Sequence, residues 1–367
     1  MSQAEPAAAL AEALAVRTAG LCAIPSPIGE ERVLCDQVEA WAEARFPHVR
    51  RVKNSLVVRV DGPAPAGLPQ PLVALCGHLD TVPVDQADRG PPRREGSRLV
   101  APGASDMKGG LALMMALAEA LPAAERFCDL ALVFYAREEG PYLENELEDV
   151  LAAAPELRAA ALAICLEPTD NRLQLGCVGS IHGTVTFHGA AAHSARPWQG
   201  DNAVHRAGAL LAELAARAPR QAVSGGQVFR EVLTCTRIEG GRARNVVPDR
   251  CTLNLNFRFA PDKPLEVAAA ELKALAERHG AEVELTDLSP ACPAFGEHPL
   301  VQRLAARTGA PTEPKQAWTD VARLAAHGIP AVNFGPGEPS QAHQRGEWVE
   351  VAALATGYLR LERFLAR

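Results

Sequence analysis

The sequence lacks several features that mark common classes of protein. Its 37 basic and 44 acidic residues give a formal net charge of -7, and it has no basic stripe that could follow a phosphate backbone, so nucleic acid is not an expected partner. No apolar stretch approaches the length of a membrane span, so we expect no membrane partner. There is also no internal repeat and no low-complexity tract.

Cysteine usage excludes two further classes. The nine cysteines are an odd number, and even the closest pair, Cys165 and Cys177, is too widely spaced for a CxxC motif. Neither a disulfide framework nor a CxxC zinc site is therefore predicted, and most cysteines are expected to be reduced core residues. The N-terminal segment carries Glu5 where a secretory signal would carry positive charge, which favours a cytoplasmic location.

Length and pattern predict two domains. The chain has 367 residues, of which 48% are apolar and 22% charged, so it can bury a sizeable core. Helical and strand patterns alternate over residues 8–176 and again after 289, as an α/β layered fold requires. We therefore predict an α/β catalytic domain, formed by residues 1–177 and 289–367, whose mixed central sheet is sandwiched by helices. Residues 178–288 are predicted to form an inserted domain that makes a homodimer.

The inserted domain follows a different pattern. Alternation of apolar and polar residues predicts strands at 181–188, 229–238 and 250–259, and a further strand is predicted near 281–287. Amphipathic helices are predicted from Asp201 to Arg217, with Asp201 as a candidate N-cap, and at 263–279. The resulting order βαββαβ predicts a ferredoxin-like unit, an antiparallel sheet with one face covered by two helices.

Six residues that can ligate a hard or borderline metal each follow a short apolar run. They are His78, Asp106, Glu138, Glu139, Glu167 and His343. Near-continuous apolar strands belong in a sheet covered on both faces, and open parallel sheets bind ligands beyond the carboxyl ends of their strands. The pattern therefore predicts a two-metal hydrolase, with Asp80 placed to orient the ring of His78 through its other nitrogen.

Each of these residues also has a purely structural interpretation. The His78-Leu79-Asp80 segment alone is more often structural, and Asp106 directly precedes an apolar helix that it could cap. Glu138-Glu139 could be a solvated strand end, and His343 a loop histidine. Glu167 ends a buried strand, where an ionised carboxylate is costly without a cation. Because all six candidate ligands follow predicted strands, a shared metal site is favoured over separate structural roles.

The motifs that carry these residues resemble those of a known family. They are Gly77-His78-Leu79-Asp80-Thr81-Val82-Pro83, Asp106-Met107-Lys108-Gly109-Gly110, Glu138-Glu139, Leu166-Glu167-Pro168 and Ala342-His343. The chain is similar over nearly its whole length to the dinuclear zinc peptidase and deacylase family that contains acetylornithine deacetylase, carboxypeptidase G and succinyl-diaminopimelate desuccinylase. Five further stretches most resemble one branch of the desuccinylases. They are residues 192–203, 243–249, 254–261, 318–323 and 333–339.

The resemblance implies a role for each candidate ligand. Asp106 would bridge two divalent ions, zinc with cobalt able to substitute. His78 and Glu167 would complete one metal site, and Glu139 and His343 the other. Glu138 would transfer protons during amide hydrolysis. The resemblance also implies a cis peptide bond between Asp106 and Met107.

Substrate recognition and catalysis are expected to involve a second set of residues, of which His193 is catalytic and the others bind substrate. They are His193, Asn245, Arg258, Asp320 and Arg323. Alternation in 251–259 puts Arg258 on the polar face of its strand, where it can bind a carboxylate or only form a surface ion pair. His193 lies in a small-residue loop, and the resemblance implies that it reaches the neighbouring subunit of a homodimer and stabilises an oxyanion.

The expected substrate is a small anionic N-acylamino acid, and N-succinyl-LL-2,6-diaminopimelate is favoured. Deacylation of acetylornithine or acetylcitrulline and dipeptide hydrolysis remain alternatives, because the family shares one metal centre. A non-catalytic binding protein is disfavoured, because every expected ligand position is filled. Fold resemblance alone does not identify the substrate.

Overall fold

Helices and strands alternate along most of the chain in the computed structural model, which describes residues 4–60, 70–83 and 90–367. The α-helices are α1 (Ala4–Cys22), α2 (Arg32–Glu43), α3 (Gly109–Ala120), α4 (Leu147–Ala153), α5 (Ala203–Ala216), α6 (Leu265–Arg278), α7 (Pro299–Thr308), α8 (Val321–Ala326) and α9 (Val351–Leu365). The strands are β1 (His48–Val52), β2 (Ser55–Arg59), β3 (Leu72–His78), β4 (Arg93–Glu95), β5 (Arg98–Val100), β6 (Asp129–Tyr135), β7 (Ala160–Cys165), β8 (Leu173–Cys177), β9 (Gly179–His188), β10 (Arg220–Ser224), β11 (Gln227–Gly240), β12 (Arg250–Phe259), β13 (Glu282–Ser289), β14 (Thr312–Lys315), β15 (Ala331–Asn333) and β16 (Trp348–Glu350).

An eight-stranded mixed sheet has the order β1-β2-β6-β3-β7-β15-β8-β14. Four strands run parallel to one another, namely β6, β3, β7 and β15. Antiparallel pairing extends the sheet from β6 to β2, from β2 to β1, and from β15 to β8. All seven residues of β3 are buried, which requires cover on both faces because neighbouring side chains point to opposite faces. The predicted α/β fold, with a mixed central sheet between helices, is confirmed.

The parallel part of this sheet determines where the functional residues meet. The register pairs His78 with Tyr135 at the ends of β3 and β6, and Cys76 with Cys165 near the ends of β3 and β7. Carboxyl ends of parallel strands lie at one edge of a sheet. The segments that follow these strands therefore leave the sheet side by side.

The chain divides into two compact units. One comprises Met1–Gly176, Phe295–Glu313 and Thr319–Arg367, and the other comprises Cys177–Ala294 and Pro314–Trp318. The second unit thus extends beyond the predicted insertion at 178–288 and includes a short segment from a later part of the chain. No helix within the described ranges is both long enough and apolar enough to cross a membrane.

The second unit contains a five-stranded antiparallel sheet with the order β10-β11-β12-β9-β13. Its apolar face packs with α5 and α6 around a core that includes Phe187, Leu210 and Leu272. Every second residue of β12 from Cys251 to Phe259 is buried, so the predicted alternation, with Arg258 on the opposite face, is confirmed.

Two details of this unit correct the sequence prediction. The sheet has one strand more than the predicted βαββαβ order, because β10 forms a hairpin with β11 through Gly225 and Gly226, at φ 51° and 77°. The sequence of β10 is largely polar, and only Ala222 is buried, so no alternation signals a strand. In addition, Asn202 and not Asp201 caps α5, since its side chain accepts from two backbone N–H groups.

Candidate metal centre

Four candidate residues of the first unit lie at the carboxyl edge of the parallel strands or just beyond it. His78 is the last residue of β3, the Glu138-Glu139 pair follows β6, and Glu167 follows β7. Their positions follow from the buried apolar strands that precede them, since such strands pair in parallel within the interior. Residues on different loops are thereby gathered without being close in sequence.

The tightest cluster consists of His78, Asp106 and Glu139. One potential ligand atom from each lies within 4.8 Å of the others, and His78 Nε2 is 3.1 Å from Asp106 Oδ1. His343 joins this cluster through Nε2, which is 2.8 Å from Glu139 Oε2 and 3.8 Å from Asp106 Oδ2. Its backbone φ is 61°, which is uncommon for a residue other than glycine. Four of the five predicted ligands thus converge.

Glu167 is the fifth predicted ligand. It is buried, with 5% of its surface exposed. Its negative charge contributes to raising the pKa values of both His78 and Glu138, so it belongs to the same electrostatic environment.

Asp106 lies in an irregular turn before α3. The turn, Ala104–Lys108, is π-helical except at Asp106 and Met107, whose backbone angles are not helical, and the peptide bond between these two residues is cis. The predicted cis bond is therefore confirmed. Asp106 does not cap α3, because Lys108 occupies the N-cap position. The structural interpretation of Asp106 as a helix cap is thus wrong.

Asp80 organises the site differently from the prediction. The Nδ1 atom of His78 lies 3.0 Å from the backbone carbonyl oxygen of Asp80 but 3.6 Å from its carboxylate. The carboxylate instead accepts hydrogen bonds from the backbone N–H groups of Glu138, at 3.1 Å, and Glu139, at 2.9 Å. Asp80 therefore orients His78 through its main chain and the two glutamates through its side chain.

Negative charge dominates the interior of the site. Burial lowers the pKa of His78, but the hydrogen bond to Asp106 and the nearby carboxylates outweigh burial and raise it well above the ordinary value. Burial, reinforced by the charge of Glu167, raises the pKa of Glu138 well above its ordinary value. Buried carboxylates at this density require protons or a cation.

His343 and Glu139, in the outer part of the cluster, also have raised pKa values. The hydrogen bond with Glu139 raises the pKa of His343 to about 9, against the effect of burial. Burial raises the pKa of Glu139, although the contact with His343 acts in the opposite direction. A divalent ion that replaced these protons would find two imidazoles and several carboxylates, which is a donor set that suits zinc.

A cavity in the first unit opens onto this cluster. Asp106, Glu139 and His343 line it, together with two cations that the sequence reasoning missed, Arg93 and Arg345. The cavity therefore combines candidate metal ligands with positive charge, a combination that suits an anionic substrate.

Glu347 also lines the cavity and was likewise missed from sequence. Its carboxylate accepts three hydrogen bonds from backbone N–H groups of the Asp106 loop. Burial raises its pKa to about 7, although these hydrogen bonds act in the opposite direction. Its only sequence signal is its place four positions after His343, because its partners lie far away along the chain.

Asp320 and Arg323 form a buried ion pair, in which Arg323 Nε is 3.0 Å from Asp320 Oδ1. The two terminal nitrogens of Arg323 bind Glu148 Oε2, at 3.1 Å, and the carbonyl oxygen of Tyr142, at 2.6 Å. Asn145 donates to the other oxygen of Asp320 at 2.6 Å. The guanidinium of Arg323 thus already binds three protein groups, and the predicted role in substrate binding stays a prediction.

The remaining predicted residues lie in the second unit. His193 is exposed, and its Nδ1 accepts from the N–H of Ala195 at 3.0 Å. The next residue, Ser194, donates its N–H to the carbonyl oxygen of Asn245 at 2.9 Å, so the His193 and Asn245 segments are held together. Arg258 lies on β12, where its Nε donates to Asn256 Oδ1 at 2.8 Å. The functional roles of all three stay predictions.

Sequence comparison finds a family model and relatives that match most of the chain. Residues 74–367 match the sequence model of peptidase family M20/M25/M40. A Mycobacterium tuberculosis relative that carries the name DapE is 39% identical over 349 residues, 95% of this chain and 96% of the relative. The succinyl-diaminopimelate desuccinylase of Corynebacterium glutamicum is 37% identical over 358 residues, 94% of this chain and 95% of the relative.

A solved structure supports the fold. The aminopeptidase PepT of Bacillus cereus superposes with a TM-score of 0.74 and covers 97% of this chain and 98% of its own. The two sequences are 20% identical, so this likeness concerns the fold alone.

Proposed function

This chain belongs to peptidase family M20/M25/M40 and is a metal-dependent amide hydrolase, and we propose that it hydrolyses N-succinyl-LL-2,6-diaminopimelate to succinate and LL-2,6-diaminopimelate. The likeness to the C. glutamicum desuccinylase, which extends over 94% of the chain, supports this substrate. The reaction would serve lysine and diaminopimelate biosynthesis in the cytoplasm.

The observation that carries the hydrolase chemistry is the convergence of His78, Asp106 and Glu139 within 4.8 Å. We propose that these side chains, with Glu167 and His343, would hold two zinc ions, for which cobalt could substitute. Histidine and carboxylate donors match the preferences of zinc. The raised pKa values of His78 and His343 are consistent with a site whose carboxylates need positive charge.

The protein side chains would divide the chemistry as follows. When bound, the divalent ions polarise the amide carbonyl and acidify water. Glu138 accepts the proton of the attacking water and then delivers it to the amine nitrogen as the C–N bond breaks. Water and amide thus yield one carboxylate and one protonated amine. Burial, reinforced by the charge of Glu167, raises the pKa of Glu138, which suits it to hold this proton between the two steps.

Substrate recognition is assigned to positively charged and polar groups. Arg258 binds a substrate carboxylate, for which a guanidinium offers paired, charge-assisted hydrogen bonds, and Asn245 contributes a further polar contact. Asp320 and Arg323, which also bind protein groups, complete the proposed set of substrate-binding residues.

We further propose that the protein acts as a homodimer through its second unit. The sheet order places β10 at an edge, and an edge strand can pair with its copy across a two-fold axis. His193 would then stabilise the charge on the carbonyl oxygen in the neighbouring subunit's site. A dead His193→Ala protein mixed with a dead Glu138→Ala protein should regain partial activity. Mixed dimers that remain inactive would exclude action in trans.

The proposed function is tested by metal analysis beside hydrolysis of N-succinyl-LL-2,6-diaminopimelate. Zinc-loaded protein should release succinate, and chelator-treated protein should not until zinc or cobalt is restored. His78→Ala should bind less metal and lose activity. Metal-free protein with full activity would contradict the proposal.

A further inference from the structure

One buried carboxylate outside the predicted ligand set holds the loop that carries Asp106. Glu347 Oε1 accepts from the N–H groups of Ser105, at 2.7 Å, and Asp106, at 2.8 Å. Its Oε2 accepts from the N–H of Gly103 at 2.7 Å. The side chain is buried, with 8% of the residue exposed, so solvent competes little for these hydrogen bonds.

The main chain of Glu347 is tied to the same segment. Its carbonyl oxygen accepts from the N–H of Ala101 at 3.0 Å, and the next residue, Trp348, pairs with Val100 in the antiparallel ladder of β16 and β5. The position of the carboxylate is therefore fixed by strand pairing. Because His343 lies four residues earlier, the same short segment carries one candidate ligand and anchors the loop of another.

A second contact joins these two segments. Ser105 Oγ accepts from the N–H of Glu338 at 2.8 Å, beside the contacts of Glu347 with the same turn. Gly103 adopts φ 76°, and an added Cβ would lie 2.8 Å from a Thr81 side-chain atom. The loop before Asp106 is thus closely packed, and the carboxylate of Glu347 lies at its centre.

We propose that Glu347 is a positioning residue of the metal centre, which fixes the Asp106 loop relative to the His343 segment without binding metal itself. Both of its oxygens are directed to backbone N–H groups, so its carboxylate is already engaged. A carboxylate is suited to this task, because it only accepts hydrogen bonds, whereas a glutamine amide would oppose at least one N–H with its own donor. The inference rests on the proposed metal site.

The test compares metal binding by three proteins, the wild type, Glu347→Gln and Glu350→Gln. The matched control, Glu350, lies three positions later in β16, and its carboxylate contacts Arg98 and not the Asp106 loop. Metal-free proteins are titrated with Zn²⁺ against a chromophoric chelator, and the absorption spectra of their Co²⁺ forms report the coordination geometry. Thermal unfolding of the metal-free proteins measures stability separately.

Glu347→Gln should raise the Zn²⁺ dissociation constant ~10–100-fold, the usual effect of removing a group that orients a ligand, and change the Co²⁺ spectrum. Glu350→Gln should match the wild type in both. Unchanged affinity and spectrum in folded Glu347→Gln would overturn the positioning role while leaving the metal site intact. A wild type that binds no Zn²⁺ would overturn the proposed metal site and this inference together.

The wild-type protein decides the question if Glu347→Gln does not fold. Hydrogen exchange of the metal-free protein reports the amide protons of Gly103, Ser105 and Asp106. Slow exchange at all three positions supports the role, because these protons are held by the Glu347 carboxylate. Exchange as fast as in an unprotected loop would overturn it.

Discussion

Asp80 Oδ2 accepts a hydrogen bond of 2.9 Å from the backbone N–H of Glu139, so a carboxylate that follows β3 fixes the segment that follows β6. The neighbouring N–H of Glu138 binds the other oxygen of Asp80 at 3.1 Å. One side chain thereby sets the direction in which both glutamates leave the sheet.

Replacement of Asp80 by Asn should lower kcat/KM, because an amide can accept only one of these two hydrogen bonds at its oxygen. Loss of a group that orients catalytic and ligand residues costs ~10–100-fold. Steady-state kinetics at saturating zinc measures the change. Asp129→Asn, at the amino end of β6, is the control and should behave as the wild type. Wild-type kcat/KM for Asp80→Asn would contradict the assigned role.

Glu138 and Glu139 are adjacent, yet the same substitution should have different consequences. Glu138→Gln should lower kcat by ~10²–10⁴-fold, the usual value of general acid–base transfer, while metal content stays unchanged. Glu139→Gln should lose metal affinity, since Glu139 lies in the cluster with His78 and Asp106. Metal analysis beside kinetics distinguishes the two variants. The reverse pattern would exchange the proposed roles.

Metal binding should release protons at neutral pH. The contact with Glu139 raises the pKa of His343 to about 9, so the metal-free imidazole is protonated at pH 7 and must lose its proton to coordinate a metal. The release should diminish as the pH rises through about 9, so the apparent affinity should rise with pH below about 9 and level off above it. Calorimetry in buffers of different ionisation enthalpy measures the proton count. Binding without proton release at pH 7 would contradict this account.

The second unit should lose stability in acid through Glu231, a buried residue on β11 that binds Arg220 and Lys263. Burial raises its pKa, but these two cations outweigh burial and lower it. Because the folded-state pKa is depressed, this contribution is present above the unfolded value of about 4.5 and is lost as the pH falls through the folded value.

Glu231→Gln should therefore destabilise the fold by about 1.5–3 kcal/mol at neutral pH, the range for hydrogen bonds to charged groups. The difference in the free energy of unfolding between this variant and the wild type should shrink as the pH falls below the unfolded-state pKa of glutamate. Urea unfolding at several pH values measures it. Glu239→Gln, which alters an exposed ion pair on the same strand, is the control. If both variants lowered the free energy of unfolding equally, the buried contacts of Glu231 would contribute no more than an exposed ion pair does.

The sequence predicted the strand ends well for a physical reason. Continuous apolar runs such as 72–76 can only be buried in a sheet covered on both faces, and the residues after them must emerge at its edge. The candidate ligands His78 and Glu167 were therefore recognisable from local pattern alone.

The missed features depend on contacts that local pattern does not encode. The hydrogen bonds of Glu347 join it to residues more than 240 positions away. The residues next to Glu347 in the sequence do not indicate these contacts. The His78-Leu79-Asp80 spacing did not determine whether the carbonyl or the carboxylate of Asp80 meets the ring. Strand β10 forms because its neighbour β11 offers a partner, and not because its own sequence alternates.

The central claim is that this hydrolase removes a succinyl group from diaminopimelate, and kcat/KM of the zinc-loaded protein on three substrates tests it most directly. The kcat/KM on N-succinyl-LL-2,6-diaminopimelate should exceed that on N-acetylornithine and on N-acetylcitrulline by roughly 10²-fold or more. A site whose side chains pair with charges of the substrate rejects analogues that lack these charges. Activity on all three should disappear after metal removal. A higher kcat/KM on either acetylated substrate would contradict the claim and identify the enzyme as a deacetylase.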